Sequence, residues 1–114
     1  MYMKQIDRSV MCPEYGVLVC RLLELLPKQH LPKPVATGFG TSIVEVVPGA
    51  AVDLHSHHEH ELWVLISGSG LFEADGQTTP VSGTTLFYIP PHELHTIRNT
   101  DPEISLNFLS IWWD

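Results

Sequence analysis

The sequence predicts an all-β domain, built as an antiparallel sandwich or barrel. From Gly38 onward, short runs rich in β-branched and aromatic residues alternate with turn signals at regular intervals, which is typical of such folds. Asp75-Gly76 lies between two such segments and favours a hairpin, because a type I′ turn needs positive φ at both central residues. The predicted strands cover residues 41–47, 61–66, 70–74, 84–89, 95–99 and 104–113.

The size and composition of the chain fit a single globular domain. It has 114 residues, of which 44% are hydrophobic and 17% are charged, and this is enough to bury one sizeable core. No apolar run approaches the roughly 20 residues needed to cross a bilayer, and the first residues lack the apolar region of a secretory signal. We therefore expect a cytoplasmic protein without a membrane partner. Cys12 and Cys20 lack a zinc-ligand spacing and are expected to be free thiols.

Charge is distributed unevenly along the chain, whose net charge is −7 at pH 7. Five of the six basic residues lie within the first 33 positions. From residue 34 to the end, Arg98 is the one basic residue against ten acidic residues. Such an acidic body repels phosphate backbones, so the sequence argues against a nucleic-acid partner and disfavours a highly phosphorylated ligand.

The first third of the chain is ambiguous. Residues 16–27 could form a strand followed by a turn, or a short helix, because short apolar runs do not discriminate between the two. Residues 27–34 contain three prolines and are predicted to form a loop or extended connector. The exposed edges of a small barrel invite strand pairing. We therefore expect residues 1–37 to pack on the barrel formed by residues 38–114, or on a partner in a homodimer.

The stretch HSHHEHE, residues 55–61, concentrates groups that bind metals or move protons. In a strand, side chains two residues apart share a face, so His55 and His57 are expected to point together. Glu61 begins the next predicted strand, and it can join the two histidines if its face is the barrel interior. Metal bonds of about 2.0–2.2 Å would require the three groups to be close neighbours.

A second histidine position strengthens the prediction of a metal site. His95 opens the strand 95–99, directly after a rigid proline turn. His58 and His60 are expected in the turn or on the opposite face. The alternative is a polar loop with fortuitous histidines, and two separate histidine sites at strand edges favour a metal site over it.

These residues resemble the two sequence motifs of the cupin superfamily. The first motif has the form G-x5-H-x-H-x3-E-x6-G, and its fixed positions are occupied by Gly49, His55, His57, Glu61 and Gly68. The second has the form G-x5-P-x-G-x2-H-x3-N, and the positions that match in relative spacing are Pro90, His95 and Asn99. Two features depart from it: the interval from Gly83 to Pro90 is one residue longer, and His92 stands where the family usually has glycine.

The resemblance implies a jelly-roll β-barrel with an extended N-terminal segment and one divalent transition metal. The ligands it implies are His55, His57, Glu61 and His95. Iron is the favoured ion. Mn, Ni, Zn, Co and Cu are alternatives, because the ligand set alone does not choose among these metals. Four protein ligands leave one or two open positions on a five- or six-coordinate metal, as a catalytic site requires.

Two further residues are candidates for proton transfer. His92 lies three residues before His95 and is predicted near the open face of the metal, where an imidazole suits acid–base chemistry. Tyr88 is a second candidate. The alternative for His92 is an ordinary turn residue, and Arg98 is expected to point outward because its parity is opposite to that of His95.

The remaining pocket is predicted to be apolar. Its candidate wall residues, each of which could instead be ordinary core, are Trp63, Leu65, Phe72, Phe87 and Phe108. A small neutral or mono-anionic organic molecule fits such a pocket better than a multiply charged one. The expected function is therefore a metal-dependent enzyme, either a dioxygenase or an isomerase, cyclase or lyase that works through an enolate. The alternative is a non-catalytic module that binds a metal or ligand.

Overall fold

The computed structural model of the protein describes residues 1–30 and 38–114. Residues 31–34, half of the predicted connector at 27–34, lie outside these residues, and Lys28–His30 forms one 3-10 turn. The described part contains no helix long and apolar enough to span a bilayer. The prediction of an all-β fold is confirmed. The strands are β1 (Cys12–Glu14), β2 (Val17–Arg21), β3 (Phe39–Val46), β4 (His60–Ser67), β5 (Ser69–Ala74), β6 (Gln77–Ser82), β7 (Thr85–Ile89), β8 (His95–Asn99) and β9 (Leu106–Trp113).

The strands form two antiparallel sheets. The larger sheet has the order β1-β2-β3-β9-β4-β7, and the smaller has the order β6-β5-β8. The segment between β3 and β4 joins the smaller sheet through two isolated bridges, Ala51–Arg98 and His55–His95. This arrangement is the jelly-roll barrel that the sequence predicted.

The barrel interior is formed by alternate residues of the long strands. In β3, β4 and β9, buried and partly exposed positions alternate with a period of two, as the pleat of a strand requires. Trp63 of β4 is 2% exposed and stacks on Phe108 of β9 with ring centroids 4.3 Å apart. Leu65 and Leu106 are completely buried beside them. The inward face of β4 therefore begins at Glu61 and continues into the core.

The hairpin predicted at Asp75-Gly76 connects β5 to β6. Asp75 has φ of 52° and Gly76 has φ of 71°, the positive values that a type I′ turn requires. The strand β6 was not among the predicted strands. Its sequence, QTTPVS, is almost wholly exposed, so it carries no apolar alternation by which it could be recognised.

The N-terminal segment contributes a second hairpin to the larger sheet. Residues 16–27 were predicted to form either a strand followed by a turn or a short helix, and the structure shows the strand. Val17–Arg21 forms β2, and a 3-10 turn follows at Leu22–Leu25. The β2 strand pairs with β3 of the same chain, placing Arg21 opposite Ser42. Residues 12–21 thus extend the barrel's own sheet, and the homodimer stays a prediction.

Candidate metal centre

Three histidines from two distant parts of the sequence converge at one end of the barrel. His55 and His95 pair across an isolated bridge, in which His95 N–H donates to the His55 carbonyl at 3.0 Å. Their ring centroids are 4.4 Å apart, and that of His57 lies 5.2 Å from that of His95. One ring nitrogen from each of the three lies within 4.8 Å of the others. These three histidines could hold a metal ion.

The backbone fixes the orientation of each imidazole. The Nδ1 atoms contact backbone carbonyls at 2.7 Å for His55, 3.2 Å for His57 and 2.8 Å for His95. Since a carbonyl only accepts, each Nδ1 donates its proton to its carbonyl, which leaves each Nε2 available for another partner. Metal-binding histidines are commonly held in this way by a hydrogen bond from their other ring nitrogen.

The buried atom His95 Nε2 is the strongest evidence that this site binds a cation. The residue is 0% exposed, and its Nε2 has no hydrogen-bond partner within the described residues. It lies 3.3 Å from Glu61 Oε1 without the geometry of a hydrogen bond. A buried polar atom without a partner is costly, and a cation bound to the three histidines would provide that partner.

Glu61 lies directly beside this group of three, at the start of β4. Its Oε1 is 2.9 Å from His57 Nε2, and its Oε2 accepts a hydrogen bond from Ser110 Oγ at 2.5 Å. Burial raises the pKa of this carboxyl, but polar contacts from His95, Ser110, Trp63 and His57 outweigh that effect and lower the pKa to about 2. Glu61 is therefore an anion at neutral pH and can balance the charge of a bound cation.

The electrostatics of His55 favour its neutral form. Burial lowers its pKa below the usual value, and this effect outweighs the opposing contact with the Asp53 carbonyl. A neutral imidazole has the lone pair that a metal requires, so His55 is ready to act as a ligand at neutral pH.

The remaining histidines of the stretch 55–61 point elsewhere. His58 contacts Asp114 at 3.1 Å. His60 lies on the outer face of β4, where its Nδ1 is 2.7 Å from the Tyr88 hydroxyl. Tyr88 is 53% exposed, so the structure places this candidate outside the barrel rather than beside the three histidines.

His92 lies close to the centre through its backbone. Its N–H donates to the His57 carbonyl at 2.7 Å, while its side chain is exposed. Its φ of 68° is left-handed, a conformation that favours glycine, in agreement with the family's usual residue at this position. Arg98 points outward as expected.

A cavity of about 100 Å³ reaches the centre at His55 and Glu61. Two of the predicted wall residues, Trp63 and Phe108, line it. Leu65 is buried deeper in the core, and Phe72 and Phe87 stack on each other with ring centroids 4.2 Å apart. The structure does not place these last three residues at the cavity.

The N-terminal hairpin supplies cavity residues that sequence reasoning missed. Its contributions are Tyr15, Val17, Val19 and Arg21. The Tyr15 ring stacks on the His55 imidazole with centroids 4.8 Å apart. Ser42, Ser110 and Trp112 also line the cavity. Alternation in β2 could have indicated which of its residues share a face, but no local pattern indicates that β2 pairs with β3.

The sequence model of the Cupin domain family matches residues 42–112, which is more than half of the chain. The chain belongs to the cupin family. This assignment confirms the resemblance drawn from the two motifs, and the matched range contains the three histidines and Glu61 of the candidate metal centre.

Solved structures agree with this family assignment. A Cupin 2 conserved barrel domain protein from Salinispora arenicola CNS-205 superimposes with a TM-score of 0.82 at 26% identity, covering 100% of this chain and 89% of that one. The plu4264 protein from Photorhabdus luminescens gives a TM-score of 0.81 at 31% identity, covering 98% of this cupin and 87% of that protein.

A curated relative is much longer than this chain. The HTH-type transcriptional activator RhaS from Enterobacter sp. (strain 638) is 28% identical over 83 residues, which is 73% of this cupin but 27% of the activator. The chain thus spans about a quarter of that relative's length. The similarity concerns one part of the activator.

Proposed function

We propose that this cupin is a metal-dependent enzyme acting on a small organic molecule. The observation that carries the proposal is the convergence of three imidazole nitrogens, one of them buried without a hydrogen-bond partner in the described chain. In this proposal His55, His57 and His95 bind one divalent transition metal, and Glu61 completes the set. Iron is the favoured ion.

The donor set suits catalysis rather than a closed structural site. Three imidazoles and one carboxylate differ from the sulfur-rich sets of structural zinc sites. When bound, the ion would supply an open coordination position and Lewis acidity to a small oxygen-containing ligand. Two chemistries are compatible with this: dioxygenation of the substrate, or isomerisation, cyclisation or elimination through an enolate.

The protein's own residues would orient the substrate and exclude water. Trp63 and Phe108 provide an apolar wall of the cavity beside Glu61. The backbone carbonyls behind the imidazoles hold them in one tautomer, so no reorientation is needed when a ligand arrives. A volume of about 100 Å³ favours a substrate of a few non-hydrogen atoms over a nucleotide or an oligosaccharide.

A non-catalytic binding module is the second candidate. The similarity to one part of a transcriptional activator favours it, since a cupin barrel in such a protein can serve as a module beside other domains. In that case the cavity would hold a ligand without converting it.

Elemental analysis of protein purified without chelator tests these alternatives. Iron together with oxygen uptake that depends on an added organic acid would identify an oxygenase. Zinc, manganese or nickel with substrate conversion but without oxygen uptake would identify Lewis-acid chemistry. Ligand binding without turnover would favour the module, and a protein that binds no divalent metal would contradict the metal proposal.

A further inference from the structure

The β1–β2 hairpin brings a positive charge to the cavity. Val17, Val19 and Arg21 alternate along β2 and all line the cavity. The two valines are 5% and 8% exposed, whereas the Arg21 side chain is 41% exposed. Arg21 therefore lies at the open end, and it is the one lysine or arginine among the described residues that line this cavity.

Arg21 shares the interior face of the sheet with the candidate metal centre. It is opposite Ser42, which is opposite Ser110, which in turn is opposite Trp63. Directly paired residues of neighbouring strands point to the same face. Three strand spacings would separate the backbones of Arg21 and Trp63 by about 14 Å along a flat sheet. The curvature of the barrel and the length of the arginine side chain both bring the guanidinium closer to the metal centre than this.

The existing partner of Arg21 leaves most of its hydrogen-bonding capacity free. One terminal nitrogen of Arg21 donates to Glu14 Oε1 across the hairpin, whereas a guanidinium has five N–H donors. Both side chains are substantially exposed, at 41% and 35%, and ion pairs of this kind contribute little to stability. An incoming anion could therefore share or replace Glu14 at little cost.

We infer that Arg21 selects a small monocarboxylate, binding its carboxylate at the cavity mouth while an oxygen at the other end reaches the histidines. A guanidinium suits a planar carboxylate, which it can hold by two parallel hydrogen bonds. The Ser42 hydroxyl, next to it in the row, can donate another. Glu14 is then an internal competitor for Arg21. This inference rests on the proposed function, because the histidines must hold the ion that binds the second end.

The test compares ω-hydroxy acids of three to six carbons with their uncharged amides. Binding to the metal-containing protein is measured by titration calorimetry. Arg21→Gln is expected to weaken the best acid about tenfold or more, which is in the range for a lost charge-assisted hydrogen bond, and to change amide binding less than twofold. Glu14→Gln is expected to tighten acid binding severalfold, since it removes the competitor. Arg98→Gln, which alters an exposed arginine on the other sheet, is the matched control and should leave both unchanged.

Three results would overturn the inference: unchanged acid affinity in Arg21→Gln, equal losses for acid and amide, or no tightening in Glu14→Gln. Absence of binding by every acid in the series would also overturn it. Repeating the titrations after chelation separates this failure from that of the metal proposal. If the histidines hold no ion, chelation changes nothing, yet the preference for acid over amide should still depend on Arg21.

Discussion

The charge of Glu61 should contribute measurably to the stability of the metal-free protein. This carboxyl has a pKa of about 2 in the folded state against an ordinary value of 4.5. Each pKa unit corresponds to 1.36 kcal/mol, so the ionised carboxylate stabilises the fold by about 3 kcal/mol at pH 7. Glu61→Gln, which resembles the protonated form, should lose about this amount.

The pH dependence of that loss distinguishes charge from packing. A carboxyl whose pKa is lower in the folded state gives stability above its unfolded pKa, and this is lost as pH falls towards the folded pKa. Between the ordinary value of 4.5 and about 2, the contribution should decline, reaching about 2 kcal/mol at pH 3.5. The penalty of Glu61→Gln should therefore shrink by about 1 kcal/mol between pH 7 and pH 3.5.

Urea unfolding of chelator-treated protein at the two pH values measures this difference. Ser110→Ala is the matched control, because it keeps the carboxylate but removes the hydrogen bond to Oε2. It should cost about 1–2 kcal/mol at pH 7, in the range for a hydrogen bond to a charged group. An equal penalty for Glu61→Gln at both pH values would refute the reasoning, since the loss would then come from packing.

Three other predictions concern the metal centre and the assembly. Alanine at His55, His57, Glu61 or His95 should sharply reduce bound metal measured by elemental analysis, whereas His58→Ala and His60→Ala should retain it; the opposite pattern would contradict the ligand assignment. His92→Gly should raise stability to urea by up to about 1 kcal/mol, because glycine tolerates the left-handed backbone, and it should retain metal; if His92 transfers a proton, turnover should fall about 100-fold or more, whereas parent-like turnover would leave it as a turn residue only. Light scattering at tens of micromolar should give the mass of a homodimer, and a monomer would count against the predicted assembly.

The inward face of a strand was predictable from sequence where apolar and polar residues alternate clearly, and not where they do not. In β4, buried and partly exposed residues alternate from His60 to Val64, so one face was readily assigned to the interior. In β7 both faces carry large apolar residues: Leu86 is 64% exposed and Tyr88 is 53% exposed. The sequence of such a strand does not say which face is inside, so Tyr88 was predicted as a candidate for proton transfer although it lies on the outer face.

The histidines converge for a reason that spacing alone only partly describes. The prediction placed His55 and His57 on a strand, whereas the structure gives His55 a single bridge to His95 and no named strand. What brings the rings together is the cross-strand pairing of His55 with His95, supported by backbone carbonyls behind each ring. The residue types were evident from the sequence, but their partners depend on which strands meet.

The sequence analysis did not identify Arg21 as a cavity residue, because it counted the basic residues of the barrel separately from those of the N-terminal segment. By sequence, the body of the chain from residue 34 contains one cation, Arg98, and that residue points outward. The cavity receives its arginine from β2, which is joined to β3 by a pairing that includes Leu18 opposite Glu45. Such a non-local pairing leaves no periodic signal in either segment, since each strand alone has the same pattern whether or not they meet.

A local anomaly did mark the place where the hairpin meets the metal centre. Asn-Gly or Asp-Gly is favoured in a two-residue hairpin turn, yet β1 and β2 are joined by Tyr15-Gly16, with φ of 53° and 78°. A left-handed tyrosine is strained by about 1–2 kcal/mol, and such strain persists where surrounding contacts maintain it. Here the Tyr15 carbonyl accepts from Asp53 N–H at 2.8 Å, and its ring stacks on His55. The unfavourable turn residue thus holds the hairpin against the histidine loop, which explains why its strained backbone is maintained.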